Sequence, residues 1–231
     1  AFYSGPCAFD YTTIKWYVMH AGSKPESLEN GGNMGFPSDQ EARGQLLSKR
    51  QLAIFGEIDG KSDDYIRDGL LWLNSMSPTE PILLWIDSPG GQPIPALSIY
   101  DRICISPAPV YGLVTYMAAS SASLILQACR IRAILSHSRI HLHGVTYREV
   151  PLQLFLEEPA KFTDEWKRIQ DFVFQVYVTR SGRSREEIEK LSKEEKPLYA
   201  DQALELGLVD RVLGTREEFK TLLAEQVATA S

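Results

Sequence analysis

Cysteine is scarce in this 231-residue chain: Cys7, Cys104 and Cys129 lie scattered along its length. That number and spacing exclude a disulfide framework or a clustered zinc site, and the thiols are expected to be buried and reduced. There is no run of Lys and Arg, and the formal charge is −6, so a nucleic-acid surface is not expected. No apolar stretch approaches the roughly 20 residues a membrane span needs. The longest, around Leu113 to Ile125, is broken by Thr115 and a serine cluster. There is no internal repeat. Neither a Walker Lys-Ser/Thr pair nor a GxGxxG spacing accompanies Gly90-Gly91, which removes the usual nucleotide-cradling loops.

What is present is ordinary in bulk and informative in order. Hydrophobic residues make up 44% and charged residues 23%, values typical of a globular protein long enough for one sizeable α/β core. Residues 1–40 crowd Phe2, Tyr3, Phe9, Tyr11, Trp16 and Tyr17 ahead of a Gly/Ser/Asn-rich tract. A short strand or hairpin and then a loop are expected there. From Asp39 the pattern turns regular. Strands are expected at Gln51–Phe55 (ending at Gly56), up to Ile86, at Val110–Tyr116, 133–135, 140–143 and 208–213. Helices are expected at 63–75, 95–105, 121–129, 161–179, 184–192 and 200–206. Strands alternating with helices predict an α/β fold with a largely parallel sheet. Residues 215–231 read as a solvated tail helix that frays.

The chemistry gathers around Leu84-Trp85-Ile86-Asp87-Ser88-Pro89-Gly90-Gly91, a buried strand that stops at a glycine turn and opens into a helix. Backbone N–H groups at such a turn can stabilise a phosphate or the oxyanion of acyl transfer. Ala118-Ala119-Ser120-Ser121-Ala122-Ser123 follows, and then a strand ending at His143. Together they suggest a glycine-turn oxyanion hole, Ser120 as nucleophile and His143 as base. On its own segment Ser120 also reads as a plain helix N-cap, and His143 as a core histidine. His141 is expected to face the other side of the strand.

The ordered set of segments resembles the proteolytic subunit of the Clp protease family, within the Clp/crotonase fold. The resemblance covers 41–214. Its pieces are Gly56-Glu57-Ile58-Asp59, read as a turn, Asp87-Ser88-Pro89-Gly90-Gly91, Ser98-Ile99-Tyr100-Asp101, Ala118-Ala119-Ser120, Ser138 to His143, Thr179 to Ile188 and Ala203 to Asp210. It implies repeated β-β-α units with a protruding handle helix. It also implies Ser120 as nucleophile, His143 as general base, and the amides of Gly91 and Ser121 as oxyanion hole. The acid of the triad falls on Glu195 where the family has Asp, with Glu194 as a substitute. No metal or cofactor is implied. The implied partners are like subunits in a heptameric ring, a homo- or hetero-oligomer, and an AAA+ unfoldase that supplies unfolded chains. Leu83, Trp85, Ile105 and Leu213 match the apolar docking positions for that unfoldase, although strand residues are also apolar simply as core. The cytoplasm or an organelle matrix would suit such a protein.

The sequence departs from the family in several places. Met117 and Ala122 flank the serine where Gln and Gly are usual, and Glu194 replaces an Arg used in ring pairing. The Gly-rich strand after His143 is replaced by Thr146-Tyr147-Arg148-Glu149-Val150-Pro151, whose Pro151 cannot donate to a ladder. Two other readings therefore stand beside a serine endopeptidase: a catalytically silent ring subunit, and an acyl-CoA enzyme of the crotonase branch.

Overall fold

The computed structural model describes residues 39–144 and 159–228. The N-terminal aromatic segment to residue 38 and Thr146–Pro151 lie outside the described residues.

The elements run α1 (Asp39–Ser48), β1 (Gln51–Ile58), α2 (Gly60–Met76), β2 (Ile82–Gly91), α3 (Pro93–Cys104), β3 (Val110–Ala119), α4 (Ser121–Ala128), β4 (Ile131–Leu135), β5 (Arg139–His141), α5 (Pro159–Ser181), α6 (Arg185–Glu194), β6 (Pro197–Tyr199), α7 (Ala200–Glu205), β7 (Arg211–Leu213) and α8 (Arg216–Ala228). One seven-stranded sheet has the order β1-β2-β3-β4-β7, with β5 on β3 and β6 on β5. All pairs are parallel except β5–β6. The expected α/β class and Clp/crotonase-type architecture are found. The C-terminal half of α5, the handle helix, buries Val173, Phe174, Val176 and Tyr177, whereas the described part before it is largely exposed.

Several elements extend beyond their expected bounds for local reasons. α2 begins at Gly60 because Asp59 caps it: its carboxylate accepts the Ser62 amide at 2.9 Å, and its own amide donates to Ser62 Oγ in return. β1 does not stop at Gly56. It bulges there, with Gly56 at φ 75°, and pairs on through Ile58, so the expected turn is a strand. Pro197–Tyr199, unmarked by composition, forms β6 by pairing antiparallel with β5.

Alternation along the strands divides the apolar residues between two faces. Ile82, Leu84, Ile86, Val110, Val114 and Ile134 join the main core under α2, α3, α4 and α5. Leu83, Tyr111, Leu113, Ala133 and Leu213 point the other way and form a second cluster with Phe219, Leu222 and Leu223 of α8. The C-terminal segment is thus a packed helix rather than a solvated one. Leu222 is wholly buried, and the start is fixed by Glu218, whose carboxylate accepts the Gly214 and Thr215 amides. The thiols also divide: Cys129 is buried as expected, and Cys104 is exposed.

A buried cation locks β4 to the chain's C-terminal third. Arg132, 5% exposed, donates to the Asp210 carboxylate, to Gln127 Oε1 at 2.7 Å and to the Gly207 carbonyl at 2.9 Å. Burial works to raise the Asp210 carboxyl, but the bonds and charge of Arg132 outweigh it and hold its pKa below the ordinary value. Arg132→Met strands Asp210 and three further acceptors, the Gln127, Gly207 and Arg180 oxygens, so stability is expected to fall by roughly 2–4 kcal/mol, somewhat less than is usual for a broken buried pair because Asp210 is partly solvated. Chemical denaturation at pH 7 measures the loss. Because the folded carboxyl is depressed, the contribution is complete above the ordinary carboxylate range and fades as pH falls through the folded value. The gap between wild type and variant is therefore expected to narrow in acid.

Candidate active site

The end of β2 sets the site. Ile58 pairs with Gly91 in the ladder, and Gln92 donates its amide to the Ile58 carbonyl at 2.8 Å. A Cβ on Gly91 (φ 155°) would lie 2.2 Å from that carbonyl, and a Cβ on Gly90 (φ 95°) would lie 2.7 Å from both the Ala119 oxygen and Ser120 Cβ. The two glycines let the chain pass between β1 and the β3–α4 junction. Ser88 Oγ, fully buried, shapes the passage by accepting the Gly90 amide at 3.0 Å. One turn back, burial pushes the Asp87 carboxyl up, against the Met117 amide and the charge of Arg139.

Ser120 stands where β3 ends and α4 begins, at φ 51° and ψ −124°. This is a sharp strand-to-helix turn, in a conformation a side chain disfavours. It is held from both sides: its amide donates to the His141 carbonyl at 2.8 Å, and its own carbonyl accepts from Ser123 and Leu124. Ser120 makes no side-chain capping bond, so its hydroxyl is not used as the plain N-cap the local sequence allowed. Ser121, the first residue of α4, has a backbone N–H with no carbonyl one turn earlier to receive it. Its hydroxyl donates to the Gly91 carbonyl at 3.0 Å, tying α4 to the glycine turn.

His143 arrives from the neighbouring strand. β5 runs parallel to β3, with Ala119 opposite His141, and His143 lies just past its end. The expectation for His141 is corrected. Residues two apart on a strand share a face, and the His141 and His143 rings lie edge-on with centroids 6.1 Å apart. His143 Nδ1 contacts the Gly144 carbonyl at 2.6 Å. A carbonyl only accepts, so Nδ1 is the donor, and in the neutral imidazole this tautomer leaves the Nε2 lone pair available to act as a base.

Gly91, Ser120, Ser121, His143 and Gly144 line a single cleft. Pro93, Leu97, Leu124, Ile169, Val173 and Tyr177 make its apolar wall. Two members of the expected constellation are not joined to it by hydrogen bonds among the described residues. Ser120 Oγ makes none with His143. Glu195 caps α6 in the left-handed conformation (φ 49°, ψ 30°), and its backbone carbonyl, not its carboxylate, meets His141 Nε2 at 2.5 Å. No group of three or more His, Cys, Asp or Glu among the described residues is placed to hold a metal ion. No helix among them is long and apolar enough to cross a membrane.

A family model described as Clp protease matches residues 37–216. The chain belongs to the Clp protease family. It is also similar to the ATP-dependent Clp protease proteolytic subunit 1 of Protochlamydia amoebophila (strain UWE25), at 33% identity over 184 residues, 76% of this chain and 86% of that protein. Clp membership supports a peptidase as the class of activity, and it sets the acyl-CoA reading aside.

The residues matched to docking positions are placed unequally. Leu83 (1% exposed) and Leu213 (4%) lie in the cluster that α8 helps to close. Trp85 is half-buried beside them, its ring 5.6 Å from Phe219 and its indole N–H donating to Gln51 at 3.1 Å. Ile105 stands apart from that cluster, 78% exposed at the end of α3. The expected tail helix is α8, and its packing is marked in the sequence: Thr215-x-x-Glu218 is a capping box followed by Phe219, Leu222 and Leu223 at helical spacing.

Gly90→Ala tests the geometry. Its Cβ would push on both the Ala119 carbonyl and Ser120, at a positive φ. The substitution is expected to cost about 1–3 kcal/mol, read as a lower melting temperature, and to remove whatever reactivity Ser120 has.

Proposed function

We propose that this chain is the serine endopeptidase subunit of an ATP-dependent Clp-type protease. The observation that carries the reading is the shared cleft: Ser120 on its strained junction, His143 with a free Nε2, and the Gly91 and Ser121 peptides fall on one surface. In the reaction, His143 Nε2 takes the Ser120 proton as Oγ adds to the scissile carbonyl. The N–H groups of Gly91 and Ser121 receive the oxyanion, a contribution of a few kcal/mol per donor. His143 then protonates the leaving amine, and water resolves the acyl-enzyme by the same route in reverse.

Glu195 is proposed as the acid that orients His143, with Glu194 as its substitute. Either carboxylate would have to replace the Gly144 carbonyl at Nδ1, and ring assembly is the event proposed to bring it there. The ring would be heptameric, built from this chain alone or with like subunits, in the cytoplasm or an organelle matrix. An AAA+ unfoldase would feed it unfolded polypeptides, docking at Leu83, Trp85, Ile105 and Leu213. Catalysis needs no metal or cofactor. The second reading, a silent ring subunit, draws on one specific feature: Nδ1 of His143 rests on a carbonyl rather than a carboxylate.

A fluorophosphonate probe separates the two. The assembled wild type is expected to label, and Ser120→Ala to lose labelling and to lower peptide turnover by several orders of magnitude. Glu195→Gln is expected to lower turnover in the same direction. Gel filtration run alongside reports the assembly, and an unlabelled ring supports the silent subunit.

A further inference from the structure

The apolar contact between α4 and the handle helix α5 contains a pair of buried hydroxyls. Ser123 is fully buried and Tyr177 is 3% exposed, and their oxygens lie 2.6 Å apart. A buried hydroxyl pair is costly unless its bonds are used.

The direction of the bonds follows from counting protons. Ser123 Oγ donates to the Ser120 carbonyl at 2.7 Å, which uses its one hydrogen. The Tyr177 hydroxyl is therefore the donor to Ser123. With the amides of Ser123 at 2.9 Å and Leu124 at 3.2 Å, the Ser120 carbonyl accepts three bonds. That carbonyl belongs to the same planar peptide as the Ser121 N–H. Donors that draw electrons toward the oxygen polarise the peptide and make its N–H a stronger donor, and linked bonds of this kind reinforce one another.

We propose that Tyr177 is a positioning residue for oxyanion stabilisation: through Ser123, its hydroxyl fixes and polarises the Ser120–Ser121 peptide from behind. The inference rests on the catalytic reading above, in which the Ser121 N–H receives the oxyanion. It adds a role for the handle helix, which reaches the reaction centre through one phenolic proton. The oxyanion hole then depends on how α5 sits against α4.

Tyr177→Phe removes that proton and keeps the ring. In the assembled protein, kcat and the rate of fluorophosphonate labelling are both expected to fall by about three- to ten-fold, the range for one hydrogen bond, with KM unchanged. A peptidyl boronate, which forms a tetrahedral adduct on Ser120, is expected to bind more weakly by the same factor. Ser123→Ala is expected to match these losses, and the double variant to fall no further than either single one. Melting temperatures measured in parallel show whether each variant is folded at the assay temperature, and either single variant suffices if the other is not. Unchanged kcat, a rise in KM alone, or losses that multiply in the double variant would overturn the proposal. Where the wild type itself does not label, the catalytic reading fails, and the hydrogen-bond chain is judged by the Ser121 amide resonance in serine-labelled protein. An upfield shift in Tyr177→Phe supports the chain, and an unmoved resonance overturns it.

Discussion

Ser120 occupies a backbone conformation that its own side chain disfavours, and the surrounding structure is arranged to keep it there. The cost of such a residue, of order 1–3 kcal/mol, has to be met by neighbours that leave it no alternative. The His141 carbonyl holds its amide, three donors hold its carbonyl, and the Gly90-Gly91 backbone passes so close that no Cβ could be added. Removing any of these restraints would let the junction relax toward an ordinary strand end or helix start. The parallel β3–β5 pairing is part of the same device, since one ladder both anchors Ser120 and delivers His143.

The sheet that carries this junction uses its two faces differently. A parallel sheet is stable when both faces are covered. One face lies under the main core, to which α2, α3, α4 and α5 contribute together with residues of α6 and α7. The other carries a smaller cluster in which α8 is the helical partner. This second cluster contains Leu83, Trp85 and Leu213, three of the four positions proposed for docking. A segment that binds there must contend with Phe219, Leu222 and Leu223, so the C-terminal helix bears directly on access to that face.

Much of this was legible in the sequence where a local rule and a global one agree. Alternating apolar runs marked the strands, and Pro-Gly-Gly marked the turn. The small residues around Ser120 marked a junction where backbones approach closely. Features set by long-range pairing were not legible. Pro197–Tyr199 carries no strand signal and is a strand only because β5 lies beside it. The hydroxyl pair Ser123–Tyr177 is separated by 54 residues, and either side chain alone reads as unremarkable core. Other features carried signals in the sequence that went against the expectation: the apolar spacing that packs the tail helix α8, the capping box that starts α2, and the two-residue spacing that places His141 and His143 on one face.

The histidine pair also bears on the departure at the triad acid. A carboxylate beside Nδ1 does two things for a catalytic histidine: it fixes the tautomer, and it stabilises the imidazolium formed when the proton arrives. The Gly144 carbonyl performs the first task and only part of the second, because a dipole compensates a charge less than a charge does. Glu195 meanwhile is held by its backbone, its carbonyl on His141 and its φ in the left-handed region. With its main chain pinned one histidine away, the longer Glu side chain has a fixed origin and an extra methylene of reach. In the proposed mechanism a carboxylate anchored in this way reaches Nδ1 of His143 only by displacing the Gly144 carbonyl, the step assigned to ring assembly. In the proposed triad, the His141 contact with the Glu195 carbonyl sets the point from which the glutamate side chain starts.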